Sequence, residues 1–257
     1  MKVIILSNMI KLDKLYFSEN VENEYNFEYD KESKKRPSWL KFKDLPKKVQ
    51  FVKILIDEEA FWYRRYFENY FFPLNNTKED YENYYDEIAE DYEDMVPQNK
   101  KIAEFILDKL KDLNISKETE ILELGAGTGL VSEHLVKKGY KNLVLIDISS
   151  KCLNVAKKKE VLSKCKFIKA NLLSFKSKKK FRIIYNSMSL DYFNEYELDK
   201  ILKLTKQNLK KGGVFISVDR HIYKEYEKNF KKLDSGWFNL KTKSGSFRYD
   251  YFIGLNS

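Results

Sequence analysis

Three glycines at alternate positions directly follow a short apolar run that contains an acid. The run is residues 121–124, with Glu123 as its acid, and the glycines are Gly125, Gly127 and Gly129. Glycine is needed where the backbone turns sharply or must approach a ligand without a Cβ in the way. A helical pattern begins at Leu130, so the sequence predicts a strand, a tight turn and a helix. The unpaired N–H groups at the start of that helix face the same turn.

Two further polar residues follow the next predicted strands. Leu143 to Ile146 is a continuous apolar run, typical of a strand buried on both faces, and Asp147 comes directly after it. About 20 residues after a glycine turn, a carboxylate can accept hydrogen bonds from both hydroxyls of a ribose. The following predicted strand, Lys166 to Ala170, ends in Asn171, whose amide offers donors and acceptors. Because parallel strand ends form one crevice, these residues describe a site shaped for adenosine.

Two nucleoside chemistries compete for such a site. A dinucleotide-binding dehydrogenase would show G-x-G-x-x-G, whose third glycine falls where this chain has Leu130. The chain instead shows G-x-G-x-G preceded by Glu123, and from about Tyr84 to Leu255 it resembles the class I S-adenosylmethionine-dependent methyltransferases. The segment FRIIYNSMSLDYF (181–193) resembles the fourth-strand motif of that family, and LKKGGVFISV (209–218) resembles its glycine-marked entry to the fifth strand.

The resemblance implies S-adenosylmethionine as the cofactor. The glycine turn would wrap its methionine part, Asp147 would bind its ribose, and Asn171 would read the adenine amine. In the family a helix of the pattern Y-D-x-x-A-x-x-Y folds over the cofactor, and residues 85–92 are similar to it, with both tyrosines on one predicted helix face. The implied cofactor contacts are Tyr85, Tyr92, Glu123, Gly125, Ala126, Gly127, Asp147, Ile148, Asn171, Leu172 and Asn186.

Methyl transfer from a sulfonium is an in-line displacement, so the protein must align the acceptor, exclude water and, for a hydroxyl, remove a proton. Base-amino methyltransferases place an Asn/Asp-Pro-Pro-Tyr/Phe clamp after the fourth strand, and cytosine-carbon methyltransferases need a cysteine there. Residues 186–192 contain neither the prolines nor a cysteine. What remains resembles the small-molecule branch of the family, and we expect a small-molecule oxygen or nitrogen acceptor.

The residues after the fourth and fifth predicted strands are the candidates for substrate chemistry. His221 follows the fifth strand and is a candidate general base, with an exposed helix start as the alternative explanation. Asp191 and Tyr192 are candidate substrate contacts, and Arg220 is suited to a carboxylate or phosphate. The candidate substrate contacts from the aromatic-rich segment 61–72 are Tyr63 and Tyr66.

The predicted fold is α/β, with a Rossmann-like, seven-stranded and mainly parallel sheet closed by an antiparallel C-terminal hairpin. Strands are predicted near 120–124, 143–146, 166–170, 181–186 and 214–219, and the hairpin strands at 236–243 and 247–253. Residues 98–257 form the predicted core. Residues 1–97 form a predicted, mostly helical extension, with 45–70 as its main helical part, that serves as a lid over the active site.

Composition limits the class of protein. In 257 residues with a net charge of +9, no run approaches the ~20 apolar residues of a membrane span, and we expect a cytoplasmic protein. Two cysteines and two histidines predict no metal site. Residues 113–257 carry 29 Lys/Arg against 15 Asp/Glu, which leaves nucleic acid as an unfavoured but open partner.

Three hypotheses remain open from the sequence. A small-molecule methyltransferase is the leading one, and an RNA or protein methyltransferase with the extension as a docking module is the alternative. A cofactor-binding scaffold without catalysis is the third. The oligomeric state is not predicted.

Overall fold

The computed structural model describes residues 2–6, 27–28, 40–42, 51–56, 59–67, 70–73, 78–96, 99–242 and 245–257. The chain divides into two compact units, Met1–Tyr84 and Tyr85–Ser257. The sequence predicts the boundary between the extension and the core after residue 97. The structure instead assigns the residues from Tyr85 onward to the larger unit. None of the helices in these described ranges is long and apolar enough to cross a membrane.

The first unit contains one six-stranded sheet. Its strands are β1 (Lys2–Leu6), β2 (Phe27–Glu28), β3 (Leu40–Phe42), β4 (Phe51–Ile56), β5 (Glu59–Phe67) and β6 (Tyr70–Pro73). They are ordered β1-β4-β5-β6-β3-β2, and neighbouring strands pair antiparallel. The helix α1 (Lys78–Glu87) follows and runs across the boundary between the units.

The prediction of a mostly helical extension is wrong. Residues 45–70, predicted to be mainly helical, contain β4 and β5, which pair from Phe51 with Arg64 to Ile56 with Glu59. β-branched and aromatic side chains suit a pleated surface, and the antiparallel partner satisfies the backbone groups that a helix would satisfy internally. The aromatic cluster at 61–72 therefore lies on strands rather than on several faces of a helix.

The second unit alternates helices and strands along the chain. Its helices are α2 (Tyr92–Met95), α3 (Asn99–Asp112), α4 (Leu130–Lys137), α5 (Ser150–Lys158), α6 (Glu195–Asn208) and α7 (Glu225–Asn229), with a 3-10 turn at Glu160–Leu162. Its strands are β7 (Ile121–Leu124), β8 (Leu143–Asp147), β9 (Lys166–Lys169), β10 (Phe181–Ser187), β11 (Leu209–Asp219), β12 (Lys231–Thr242) and β13 (Gly245–Leu255).

These seven strands form one sheet in the order β12-β13-β11-β10-β7-β8-β9. The five strands from β11 to β9 in that order are parallel, while β13 pairs antiparallel with both β11 and β12. The predicted Rossmann-like core with an antiparallel C-terminal hairpin is confirmed. β7 and β8, which are the first two strands of this unit along the chain, lie side by side and parallel. Their carboxyl ends therefore share one edge of the sheet.

The sheet is buried on both faces because its strands alternate between two apolar cores. In β7, Ile121 belongs to the core with α3 and α4, whereas Leu122 and Leu124 belong to the core with α6 and α7. Successive side chains of a strand point to opposite faces, so each apolar strand fills both layers. Glu123 must therefore point toward the α3 and α4 side.

The predicted single helix through residues 85–92 is interrupted. The helix α1 ends at Glu87, residues 88–91 form a turn, and α2 begins at Tyr92. The backbone N–H of Asp91 donates to the carbonyl of Ile88 at 3.0 Å, as expected for a turn between short helices. The shared helix face predicted for Tyr85 and Tyr92 is wrong, although the two rings still meet.

Candidate active site

The three glycines of the turn after β7 all have positive φ angles, which favour glycine, but their surroundings differ. A Cβ added at Gly125 would lie 2.4 Å from Ser189 Cβ, and one added at Gly129 would lie 2.8 Å from Leu162 Cδ1. At Gly127 the nearest atom would be Tyr92 Cε1 at 3.6 Å, which is an ordinary contact. Gly125 and Gly129 are therefore required by packing, and Gly127 presents its backbone to open space beside Tyr92.

Asp147 lies at the end of β8 against the glycine turn. Its Oδ2 accepts from the backbone N–H of Gly127 at 2.7 Å, and its Oδ1 accepts from that of Ser149 at 2.8 Å. Burial raises the pKa of this carboxyl, while backbone hydrogen bonds from Ser149, Gly127 and Ile148 act in the opposite direction. A carboxylate offers about four acceptor positions, so Asp147 keeps capacity for a ligand hydroxyl while it fixes the turn.

Glu123 does not face the open side of the glycine turn. It is 2 % exposed, and its Oε2 accepts a short hydrogen bond from Ser132 Oγ, which itself lies 3.0 Å from the Tyr185 hydroxyl oxygen. Burial raises the pKa of Glu123 to about 7 against these hydrogen bonds. Because successive residues of a strand point to opposite faces, the Glu123 side chain lies behind the glycine turn, where it links β7, α4 and β10. This position does not agree with the predicted contact between the Glu123 side chain and a cofactor.

Asn171 follows β9, which ends two residues earlier, at Lys169. The Oδ1 of Asn171 accepts from the backbone N–H of Leu173 at 3.0 Å, an Asx turn that fixes the side chain at the sheet edge. The amide nitrogen and a second lone pair of Oδ1 stay available to a ligand. Ile148 and Leu172 are both half-buried, as side chains flanking a ring would be.

Three tyrosines form a cluster, in which the Tyr92 ring lies beside Gly127. The hydroxyl of Tyr85 donates to that of Tyr192 at 2.6 Å, and the Tyr85 ring meets those of Tyr92 and Tyr192 edge-on, at centroid distances of 5.9 and 6.1 Å. Burial raises the pKa of Tyr92, so its hydroxyl stays protonated. The structure thus brings the predicted cofactor contacts Tyr85 and Tyr92 together with the predicted substrate contact Tyr192.

The segment that carries Tyr85 is fastened to the start of α5. Asp86 Oδ1 accepts from Ser149 Oγ at 2.6 Å and from the backbone N–H of Lys151 at 3.0 Å. Ser149 is also the N-cap of α5, where its Oγ accepts from the backbone N–H of Cys152 at 3.0 Å. Sequence reasoning missed Asp86, although it is the acid of the Y-D-x-x-A-x-x-Y pattern.

A buried polar network lies where β10 and β11 end. Asp219 Oδ2 accepts from Asn186 Nδ2 at 2.6 Å and from Ser217 Oγ at 2.9 Å, and Asp219 Oδ1 accepts from the backbone N–H of Leu190 at 3.3 Å. Burial, and then the nearby Asp191 carboxylate, raise the pKa of Asp219 to about 8. Asn186 is 0 % exposed, which argues against the predicted direct contact of its side chain with a cofactor.

The sequence carries a signal for Asp219. Asp219 ends a buried apolar strand, as Asp147 does, so an acid at that position is the same kind of pattern. Its partners come from other elements, and the sequence order does not reveal them.

Asp191 ties the loop after β10 to the loop after β11. Its Oδ2 accepts from the backbone N–H of Arg220 at 2.8 Å, and its Oδ1 accepts from that of His221 at 3.4 Å. Burial raises the pKa of Asp191, with these backbone hydrogen bonds acting against it. The side chains of Arg220 and His221 are exposed, and the His221 ring lies edge-on to Tyr223 at 6.4 Å. Three of the predicted substrate-side residues therefore lie together at one edge of the sheet.

The remaining candidates lie elsewhere. Tyr63 is buried in β5 of the first unit, and the side chain of Tyr66 lies outside the described residues.

Burial raises the pKa of the Cys152 thiol to about 12 and that of Cys165 to about 11, so neither is a thiolate near neutral pH.

The sheet order, the glycine turn and the polar strand ends together define a methyltransferase core. A sequence family described as "Methyltransferase domain" matches residues 121–213, which run from β7 to the first part of β11. Residues 121–213 thus form part of a methyltransferase domain, and the fold around them is that of the class I S-adenosylmethionine-dependent methyltransferases.

Individual relatives agree with this family. The chain is 26% identical over 160 residues to the malonyl-[acyl-carrier protein] O-methyltransferase of Priestia megaterium. The matched region covers 62% of this chain and 56% of that protein. It is 30% identical over 129 residues to a Methanocaldococcus jannaschii protein named as a protein N5-glutamine methyltransferase, covering 49% of this chain and 64% of that one. The chain thus spans little more than half of the first relative and under two thirds of the second.

A solved structure supports the fold. The crystal structure of magnesium protoporphyrin IX methyltransferase from Synechocystis PCC 6803, with bound S-adenosylmethionine, superposes with a TM-score of 0.53 at 16% identity. The match covers 62% of this chain and 80% of that one. At that identity the likeness concerns the fold and leaves the substrate open.

Proposed function

We propose that this protein transfers a methyl group from S-adenosylmethionine to an oxygen or nitrogen of a small molecule. The observation that carries the proposal is the shared edge of the sheet, where the open face of Gly127, the carboxylate of Asp147 and the amide of Asn171 follow three adjacent strands. These groups fit the methionine part, the ribose and the adenine of the cofactor in turn.

When bound, the cofactor supplies an electrophilic methyl group on a sulfonium. The residues of this chain have to bind it, orient the acceptor and move a proton. Asp147 fixes the turn and accepts from ribose hydroxyls, and the three tyrosines exclude water from the space beside Gly127. His221 takes a proton from a hydroxyl acceptor, and Asp191 fixes the backbone of residues 220 and 221 by accepting from both of their N–H groups.

The acceptor class is inferred from the end of β10. Asn186 occupies the place where a base-amino methyltransferase carries the first residue of its clamp, but its side chain is buried and donates to Asp219. Residues 186–192 also lack the two prolines of that clamp. Arg220 at the same edge is available to hold an anionic group of the substrate.

A protein acceptor is the second candidate, with the first unit as a docking module. The likeness to a protein named as an N5-glutamine methyltransferase favours it, as does the basic balance of residues 113–257. The relative named for malonyl on an acyl-carrier protein lies between the two, since its acceptor is a small acid attached to a protein.

Two measurements test the proposal. Calorimetry with S-adenosylhomocysteine should give one site per chain, and the absence of binding would refute the cofactor assignment. Incubation with S-adenosylmethionine labelled in the methyl group, followed by separation of a cell extract into small-molecule, protein and RNA fractions, should place the label among small molecules. Label in protein or RNA would refute the acceptor class and leave the cofactor assignment intact.

A further inference from the structure

Four polar side chains form a clasp between α2 and the glycine turn. They are Glu93, Thr128, Glu133 and Lys159. Thr128 Oγ1 donates to Glu93 Oε1 at 2.8 Å, and Lys159 Nζ donates to the same oxygen through a short hydrogen bond. Lys159 Nζ also donates to Glu133 Oε2 at 2.7 Å, so one ammonium joins two carboxylates.

The clasp connects elements that all border the proposed cofactor site. Thr128 is buried between Gly127 and Gly129, so Glu93 reaches the turn itself. Glu133 lies in the first turn of α4, and Lys159 directly follows the last residue of α5. The short helix α2, with four residues, is thereby held to the core by two side chains, Thr128 and Lys159, and Glu133 holds Lys159 in turn.

Partial burial distinguishes the clasp from an ordinary surface ion pair. The side chains of Lys159, Glu133 and Glu93 are 17%, 22% and 36% exposed. The neighbouring pair Lys158–Glu90, with 69% and 73% exposure, joins the same two parts of the chain at the surface. Exposed pairs contribute little because solvent and salt screen them, whereas shielded, shared hydrogen bonds hold a geometry.

The residue positioned by the clasp is Tyr92, which precedes Glu93. Its Cε1 lies 3.6 Å from where a Cβ on Gly127 would stand, so its ring borders the open face of that glycine. We infer that Glu93 and Lys159 are positioning residues, which hold Tyr92 over Gly127 and thereby slow the release of the cofactor. The inference rests on the proposed function, because it concerns the residence of the cofactor at that site.

The test is the dissociation rate of S-adenosylhomocysteine from the full-length protein, followed by stopped-flow fluorescence, with affinity from calorimetry. Glu93→Gln keeps the shape of the side chain but removes its charge, and Lys159→Met removes the shared ammonium. Each should release the ligand roughly tenfold faster, the scale of one lost charge-assisted hydrogen bond, with little change in the association rate. Lys159→Arg keeps the charge and should restore most of the slow release.

The matched control is Glu90→Gln, which breaks the exposed pair Lys158–Glu90 and should leave the release rate at the wild-type value. Release from the wild-type protein should depend only weakly on added sodium chloride, because the clasp is partly shielded from solvent. A merely structural role would lower thermal stability without faster release of the ligand.

Hydrogen exchange of the ligand-free protein gives an independent readout. Amides of residues 92–96 should exchange faster in Glu93→Gln and Lys159→Met than in Glu90→Gln. Unchanged release and exchange in both clasp variants, in a wild-type protein that binds the ligand, would overturn the inference. A wild-type protein that fails to bind S-adenosylhomocysteine would instead overturn the proposed function on which it rests.

Discussion

The three glycines of the turn after β7 allow a prediction that separates packing from ligand binding. Each is replaced singly by alanine, which adds one methyl group at a known position. All three residues have positive φ angles, of +65°, +52° and +75° in chain order, so each alanine pays a similar backbone cost of about 1–2 kcal/mol. The differences between the variants then report what the new methyl group meets.

The expected stability losses follow from the distances. At Gly125 the methyl carbon would lie 2.4 Å from Ser189 Cβ, so overpacking adds about 1–3 kcal/mol. At Gly129 it would meet Leu162 Cδ1 at 2.8 Å, the end of a side chain that can shift, and a smaller added loss is expected. At Gly127 the nearest atom is 3.6 Å away, so the backbone cost alone remains.

The expected effect on ligand binding is largest at Gly127, where the expected loss of stability is smallest. Gly127→Ala keeps most of the stability, yet it should weaken S-adenosylhomocysteine at least tenfold, or about 1.4 kcal/mol, because its methyl group enters the space proposed for the ligand. Urea unfolding gives the free energy of unfolding, and calorimetry at a temperature where all variants are folded gives the affinity.

Two outcomes would refute this reasoning. One is a Gly127→Ala protein that binds the ligand as tightly as wild type, since the open face of Gly127 would then not be the ligand side. The other is a loss of stability in Gly127→Ala that equals the loss in Gly125→Ala, since the measured distances would then not determine the packing cost.

Three further predictions concern the ribose contact, the buried acid and the first unit. Asp147→Ala should weaken the binding of S-adenosylhomocysteine by about 2–4 kcal/mol, and Asn171→Ala by about 1–2 kcal/mol because only a neutral hydrogen bond is lost. Calorimetry that shows normal binding by both folded variants would contradict the nucleoside placement. Burial raises the pKa of Glu123 from 4.5 to about 7, so the folded state binds more protons than the unfolded state in that window, and stability falls as pH rises through it by about 3 kcal/mol. Glu123→Gln should flatten this part of the pH dependence of urea unfolding, and an unchanged slope would show that another group causes it. A chain that begins at Tyr85 should keep S-adenosylhomocysteine binding but lose methyl transfer if the first unit is the proposed lid, and full transfer activity in that chain would refute the lid.

The sequence alone determined the core of the second unit because its signals are local. A buried apolar strand, a glycine turn and an amphipathic helix each leave a pattern within about a dozen residues, and the order of these patterns gave the sheet. Asp147 and Asn171 were identified because each comes at or just after a strand end, and parallel strand ends share one edge.

The tertiary structure decided what depends on partners distant in the chain. Residues 45–70 carry an aromatic pattern that suits strands, and β4 in this segment has a partner distant in the chain, because it pairs with β1 from Lys2 with Leu55 to Leu6 with Phe51. Glu123 and Asn186 were placed in the site by their position after the glycine pattern and the fourth strand, yet both side chains are buried against other polar groups. The end of a strand fixes where a residue lies. The direction of its side chain depends on the alternation of side chains along the strand and on the polar partners that a buried polar group needs.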